Sequence, residues 1–197
     1  MKFSEKEEYL RQSDNKLRKI IDTNGPINFK PNKEHQFNSL VSIVISQFIS
    51  TSAANSIFKN VKLSFYTEYL NEKHFEDLTI TEIKKLGLSF NKARTIKELS
   101  ELFLSKGFRD LTEFREENLR DKLLSVFGIG PWSVNMFEIF CIGKLDIFSS
   151  KDAGLRLAMN NHEMVSKNSN YLDYDIYANK WSPFRTIACL HLWKTVD

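Results

Sequence analysis

The sequence predicts an all-α protein, a two-lobed helical bundle, on three observations. Apolar residues recur at helical spacing rather than in alternation, Gly and Pro number only 7 and 4 in 197 residues, and those few stand where helices stop and start. The elements follow in order. A charged amphipathic helix near the N-terminus closes at Gly25-Pro26. A second runs from about residue 34 through LVSIVISQF, apolar nearly all round and therefore central to the core. Ser50-Thr51 breaks and recaps the chain ahead of a helix over 53–63. Thr79-Ile80-Thr81-Glu82 reads as a capping box opening a short helix, and Gly87 supplies its left-handed end. The next helix spans 91–106, with Ile96, Leu99, Leu102 and Phe103 on one face and Gly107 as its stop. A helix over 119–127 follows, then one that starts at Pro131 and ends near Gly143. The polar, aperiodic run NNHEMVSKNSNY, 160–171, is expected to be a surface loop, and the last helix to begin around Pro183 and carry ACLHLW. Nine or ten helices result. Chain order places the middle helices, about 50–140, in one lobe, and the terminal ones, about 1–49 and 141–197, in the other. A cleft is expected between the lobes of what is a single domain.

Composition sets bounds on function. With 42% hydrophobic residues and 16 Phe the chain can bury a core without staples. Its two cysteines, Cys141 and Cys189, sit in apolar runs and supply neither a disulfide framework nor a four-cysteine zinc or iron–sulfur site. They read as buried thiols of a reducing compartment. The first twenty residues are charged throughout, and no stretch approaches the length that spans a bilayer, so the expectation is a soluble intracellular protein without a membrane partner. A net charge of +3 permits a polyanionic partner without requiring one.

The stretch LLSVFGIGPWSVNMFEIF carries the clearest chemistry. Two helices meet at Gly128-Ile129-Gly130, and Pro131 restarts the second. Two glycines so spaced allow a tight turn that presents backbone N–H groups at the positive end of a helix, a site for a phosphate. Ile129 plugs the turn into the core. By itself Gly-x-Gly favours an ordinary helical corner; the flanking helices and the Pro-Trp restart turn the balance to the phosphate hairpin.

Five segments in order carry a resemblance: LVSIVISQFISTSAA, GLSFNKARTIKELSELF, VFGIGPWSVNMF, DIFSSKDAGLR and WSPFRTIACLHLW. From about residue 35 to 197 the chain resembles the helix-hairpin-helix DNA glycosylases, in particular the alkyl-purine branch related to bacterial 3-methyladenine DNA glycosylase II. The extra N-terminal β-rich domain of the longer bacterial members is lacking. The resemblance implies a monofunctional enzyme of base excision repair that flips an alkylated purine out of double-stranded DNA and hydrolyses its N-glycosidic bond. A monomer working where DNA is found, in cytoplasm, nucleoid or nucleus, is expected.

That bond breaks through an oxocarbenium-like sugar, which a fixed carboxylate stabilises. The resemblance places the catalytic aspartate on Asp152, just before a helix. A plain N-cap is the commonest alternative for such a residue. Asp146 takes the place of a structural residue in the connecting turn. Bifunctional relatives carry a Schiff-base lysine in Gly-x-Gly-x-Lys; Trp132 stands there instead, so strong lyase activity is not expected. Trp132 and Trp193 match the pocket tryptophans, which attract a cationic purine by stacking. Trp181 and Phe184 are expected to pack behind the pocket, and core packing is the alternative for these four aromatics; Met136, one turn beyond Trp132, stands where longer relatives tend to have a further aromatic. Phe48, beside Gln47, occupies the place of the wedge that fills the gap left by a flipped base, with burial in the core as the alternative. Lys92 and Arg94 are weaker candidates for the DNA backbone. His191 reads as a core histidine. No metal or catalytic cofactor is expected; the resemblance allows a structural monovalent cation on the hairpin carbonyls. A competing reading is a non-catalytic DNA-binding or lesion-sensing module that reuses the hairpin.

Overall fold

The computed structural model describes residues 2–105 and 116–196. Among them all regular structure is helical, as the apolar spacing predicts, and no strand occurs. In chain order the α-helices are α1 (Glu5–Ser13), α2 (Asn15–Asn24), α3 (Gln36–Ser46), α4 (Thr51–Ser64), α5 (Ile80–Lys84), α6 (Phe90–Leu104), α7 (Glu116–Ser125), α8 (Pro131–Phe137), α9 (Ala153–Asn161), α10 (Tyr171–Ala178) and α11 (Arg185–Trp193). The chain forms two compact units, one of Met1–Lys30 with Gly143–Asp197 and one of Pro31–Ile142.

In the first unit the single N-terminal helix of the sequence reading is two helices. Asp14 is extended, at φ −151° and ψ 112°, and its carboxylate accepts from Lys16 N at 2.8 Å and Leu17 N at 3.3 Å. It thereby ends α1 and caps α2. Its other oxygen accepts from the buried Trp181 indole at 2.9 Å. Leu10, Leu17, Ile21, Leu155, Ala158 and Leu192 form the centre of the core that α1, α2, α9 and α11 share. Helix α10 has no counterpart in the sequence reading. Its Tyr171, Leu172 and Ile176 lie exposed while Tyr174 is buried, so no apolar face announces it. The final helix starts at Arg185, two residues after the expected Pro183.

A buried polar network ties α1, α2 and α11. Glu7 and His191 are 1% and 0% exposed, with His191 Nε2 3.3 Å from Glu7 Oε1, and Asn24 bonds the far side of the ring. Glu7 also accepts from the N–H groups of Ile27 and Ser4 at 2.8 and 2.7 Å. Burial pushes the Glu7 carboxyl up, but these donors together with His191 outweigh it and hold the group below its ordinary value. Burial lowers the His191 imidazole, against the opposing pull of Glu7. His191 is thus a satisfied core histidine.

In the second unit α3 is the central helix, with Leu40, Val41, Val44 and Ile45 fully buried, and it packs on α4, α6 and α8. By these contacts α3 belongs with the middle helices, whereas the sequence reading grouped it with the N-terminal ones. Phe37 packs on Phe75 and Phe103 at ring-centroid distances of 5.8 and 5.3 Å. The Thr79 capping box opens α5 as predicted, and Gly87 sits at φ +92°. The predicted stop at Gly107 lies outside the described residues. Helix α8 continues as a π turn, Glu138–Ile142, up to Gly143 at φ +87°. Among the described residues no helix is long and apolar enough to cross a membrane.

Candidate active site

The hairpin lies in the second unit. Gly128 sits at φ +77°, and a Cβ built on it would stand 2.2 Å from Thr95 Oγ1, so both conformation and space demand glycine. Ile129, 5% exposed, anchors the turn, and its N–H bonds to Val126 O at 3.1 Å. Gly130 is the extended N-cap of α8, with Pro131 at the first helical position and no side chain capping the end. The neighbouring strut is α6: Glu98 accepts from Phe127 N at 3.0 Å and from Arg94 at 2.9 Å, and the Arg94 guanidinium lies 3.9 Å from the centroid of the Phe127 ring. Arg94 and Lys92 therefore serve internal contacts, Lys92 by donating to Ile45 O at 2.7 Å, and burial lowers its ammonium pKa.

Gln47, the C-cap of α3, braces the hairpin. Its Nε2 donates to Gly128 O and to the buried Ser133 Oγ, both at 2.9 Å. Phe48 follows at φ +59° and 102% exposure, which rules out the core alternative. A bulky side chain held left-handed and fully in solvent is a strained arrangement. Ser50 then caps α4. Trp132 is half-buried and Met136 5% exposed, one turn apart on α8.

Asp152 lies in the first unit and is 7% exposed. It caps α9, accepting from Leu155 N at 2.8 Å, and the same Oδ1 accepts from Trp193 Nε1 at 3.0 Å. The cap alternative is thus part of the geometry, and the indole bond is an addition to it. Gly154 leaves room at this approach: a Cβ there would stand 3.3 Å from both Asp152 Oδ1 and Trp193 Cδ1, closer than most such contacts. After burial, the nearby Asp152 charge is the next cause that pushes the Cys189 thiol well up. Asp146 is engaged elsewhere. It accepts from Arg185 Nε at 2.7 Å, Arg185 Nη2 at 3.1 Å and Ser182 Oγ at 2.9 Å. Burial raises its carboxyl, and the Arg185 and Ser182 bonds more than reverse that.

The structure therefore brings together Gln47, Phe48 and the hairpin in one unit, and Asp152 with Trp193 in the other. The sequence reading passed over Thr95 and Gly154. A glycine in the first turn of a helix, against helix propensity, was the available signal for Gly154.

The model of the family described as HhH-GPD superfamily base excision DNA repair protein matches residues 41–183. The chain belongs to this superfamily. The matched span holds Gln47, Phe48, the hairpin, Trp132, Met136 and Asp152, and Trp193 lies beyond it. The alkylbase DNA glycosidase-like protein mag2 of Schizosaccharomyces pombe is 26% identical over 98% of this chain and 93% of its own length. DNA-3-methyladenine glycosylase 1 of the same yeast is 26% identical over 95% of this chain and 85% of its own. The solved S. pombe 3-methyladenine DNA glycosylase in complex with abasic DNA matches with a TM-score of 0.87 at 25% identity, over 98% of this chain and 96% of that one.

Proposed function

We propose that the protein is a monofunctional DNA glycosylase that removes alkylated purines of the 3-methyladenine and 7-methylguanine class from double-stranded DNA. The observation that carries the reading is Asp152, a buried carboxylate locked by a helix N-terminus and an indole N–H, in a superfamily of base excision repair proteins. Alkylation leaves the purine positively charged, so the base departs as a neutral molecule with the electrons of the C1′–N bond. The ionised carboxylate stabilises the resulting oxocarbenium ion and takes a proton from the water that attacks it.

In this reading the hairpin binds a DNA phosphate through its backbone N–H groups. Phe48, already in solvent, fills the gap left by the flipped nucleotide, and Gln47 couples it to the hairpin. The half-buried Trp132 offers its face to the cationic base, and the buried Met136 lies one turn further along α8. Because an indole replaces a lysine amine, no Schiff base forms and strong AP lyase activity is not expected. The chemistry calls for no catalytic cofactor. A monovalent cation on the hairpin would be structural, and it would use second lone pairs, since the carbonyls of Val126, Gly128 and Gly130 each already accept a hydrogen bond. The protein is expected to act as a monomer wherever the genome resides.

A second reading, a lesion-binding module without catalysis, is favoured by one observation: the Leu155 bond to Asp152 is that of an ordinary N-cap. Incubation with randomly methylated duplex DNA, followed by chromatography of the released bases, separates the two. The glycosylase reading expects free 3-methyladenine and 7-methylguanine; tight binding with no free base establishes the sensor.

A further inference from the structure

We propose that Trp193 is a positioning residue for Asp152, acting through its indole N–H rather than its ring face, and that Gly154 keeps open the space in which the two meet. This role rests on the glycosylase reading of Asp152.

Two donors converge on one carboxylate oxygen. Leu155 N lies 2.8 Å and Trp193 Nε1 3.0 Å from Asp152 Oδ1. A cap bond alone leaves the carboxylate a range of rotations about its side-chain torsions; a second donor from an independent direction removes that range. The indole comes from the last residue of α11, and its body packs on the core of the first unit. Its N–H is thus delivered by a fixed element rather than by a mobile loop, as a positioning contact requires.

Gly154 gives the independent steric sign. Its missing Cβ would stand 3.3 Å from Asp152 Oδ1, 3.3 Å from Trp193 Cδ1 and 3.6 Å from Trp193 Nε1. The pyrrole edge of the ring is therefore the part turned toward the carboxylate and the start of α9. Indole nitrogen is a donor only, so the contact is made to a lone pair of the carboxylate oxygen. The stacking role expected from sequence uses the ring face, whereas this geometry uses the ring edge.

The test is single-turnover base release from methylated duplex with the protein in excess, read beside binding to abasic duplex. Trp193→Phe keeps an aromatic face and loses the donor. It is expected to slow release about 10- to 100-fold, the size of a hydrogen bond to a charged group, with binding to abasic duplex unchanged. Trp193→Leu should slow release to the same degree, and in the Asp152→Asn protein Trp193→Phe should add no further loss. Release by Trp193→Phe at the unaltered rate, with loss only in Trp193→Leu, would overturn the proposal in favour of ring stacking. Should Trp193→Phe fail to fold, Gly154→Ala decides: its added Cβ presses on Asp152 Oδ1 and Trp193 Cδ1, so release slows in a protein that still unfolds cooperatively, and an undiminished rate overturns the proposal. No release by the unchanged protein would instead overturn the glycosylase reading, and this role with it.

Discussion

At the hairpin the groups proposed to bind are main-chain and side chains only shape the turn; at Asp152 the backbone serves a side chain. Gly128, Ile129 and Gly130 present main-chain groups, and Thr95, Ile129 and Gln47 hold the turn in place. Around Asp152 the first turn of α9, the glycine at 154 and the Trp193 indole all converge on one carboxylate oxygen. A backbone site should be sensitive to added atoms and indifferent to protonation. A side-chain site should tolerate isosteres structurally while losing its chemistry.

The largest effect that sharpens this contrast is steric. Gly128→Ala puts a Cβ 2.2 Å from Thr95 Oγ1 at a φ of +77°, and should destabilise the protein by about 3 kcal/mol, measured by urea unfolding. Thr95→Ala in the same chain should restore the steric part of that loss and leave the backbone strain. Full recovery would show that conformation contributes nothing at this turn.

A smaller effect, set by pH, belongs to the buried polar network of the first unit. His191 has a folded pKa below its unfolded value of 6.5, so the unfolded chain takes up a proton that the folded one refuses. Its contribution is fully present above pH 6.5 and is lost as pH falls below that value, with a slope of at most about 1.4 kcal/mol per pH unit. Glu7, whose folded pKa is depressed from 4.5, contributes stability above that value and loses it as pH falls through the folded pKa. Unfolding curves across pH 7 to 5 should show the first limb, and His191→Gln should flatten it. An unchanged limb in that variant would assign the acid sensitivity to another group.

What was legible in the sequence follows the same division. The hairpin could be read because its cause is local: two glycines, a buried isoleucine and a proline within four residues. The capping box at Thr79 was legible for the same reason. Asp152 was found through the family resemblance and the helix that follows it, but its indole partner is 41 residues away, and no local pattern joins them. The break at Asp14 was missed because an aspartate inside an amphipathic run resembles an exposed helical position; its bonds from Lys16 N and Leu17 N show the cap, and the Trp181 indole on its other oxygen is far away in sequence. Helix α10 was missed because three of its apolar residues point to solvent. Phe48 stood in an apolar run that reads as core, and only its left-handed backbone turns it outward.

In the proposed reaction the Asp152 charge, and not its cap, performs the chemistry. Asparagine caps a helix as well as aspartate does, so Asp152→Asn isolates the charge. Its single-turnover release of 3-methyladenine from methylated duplex should fall by about a thousandfold or more, while its melting temperature and its binding to abasic DNA stay unchanged. Release at the rate of the unaltered protein would contradict the account.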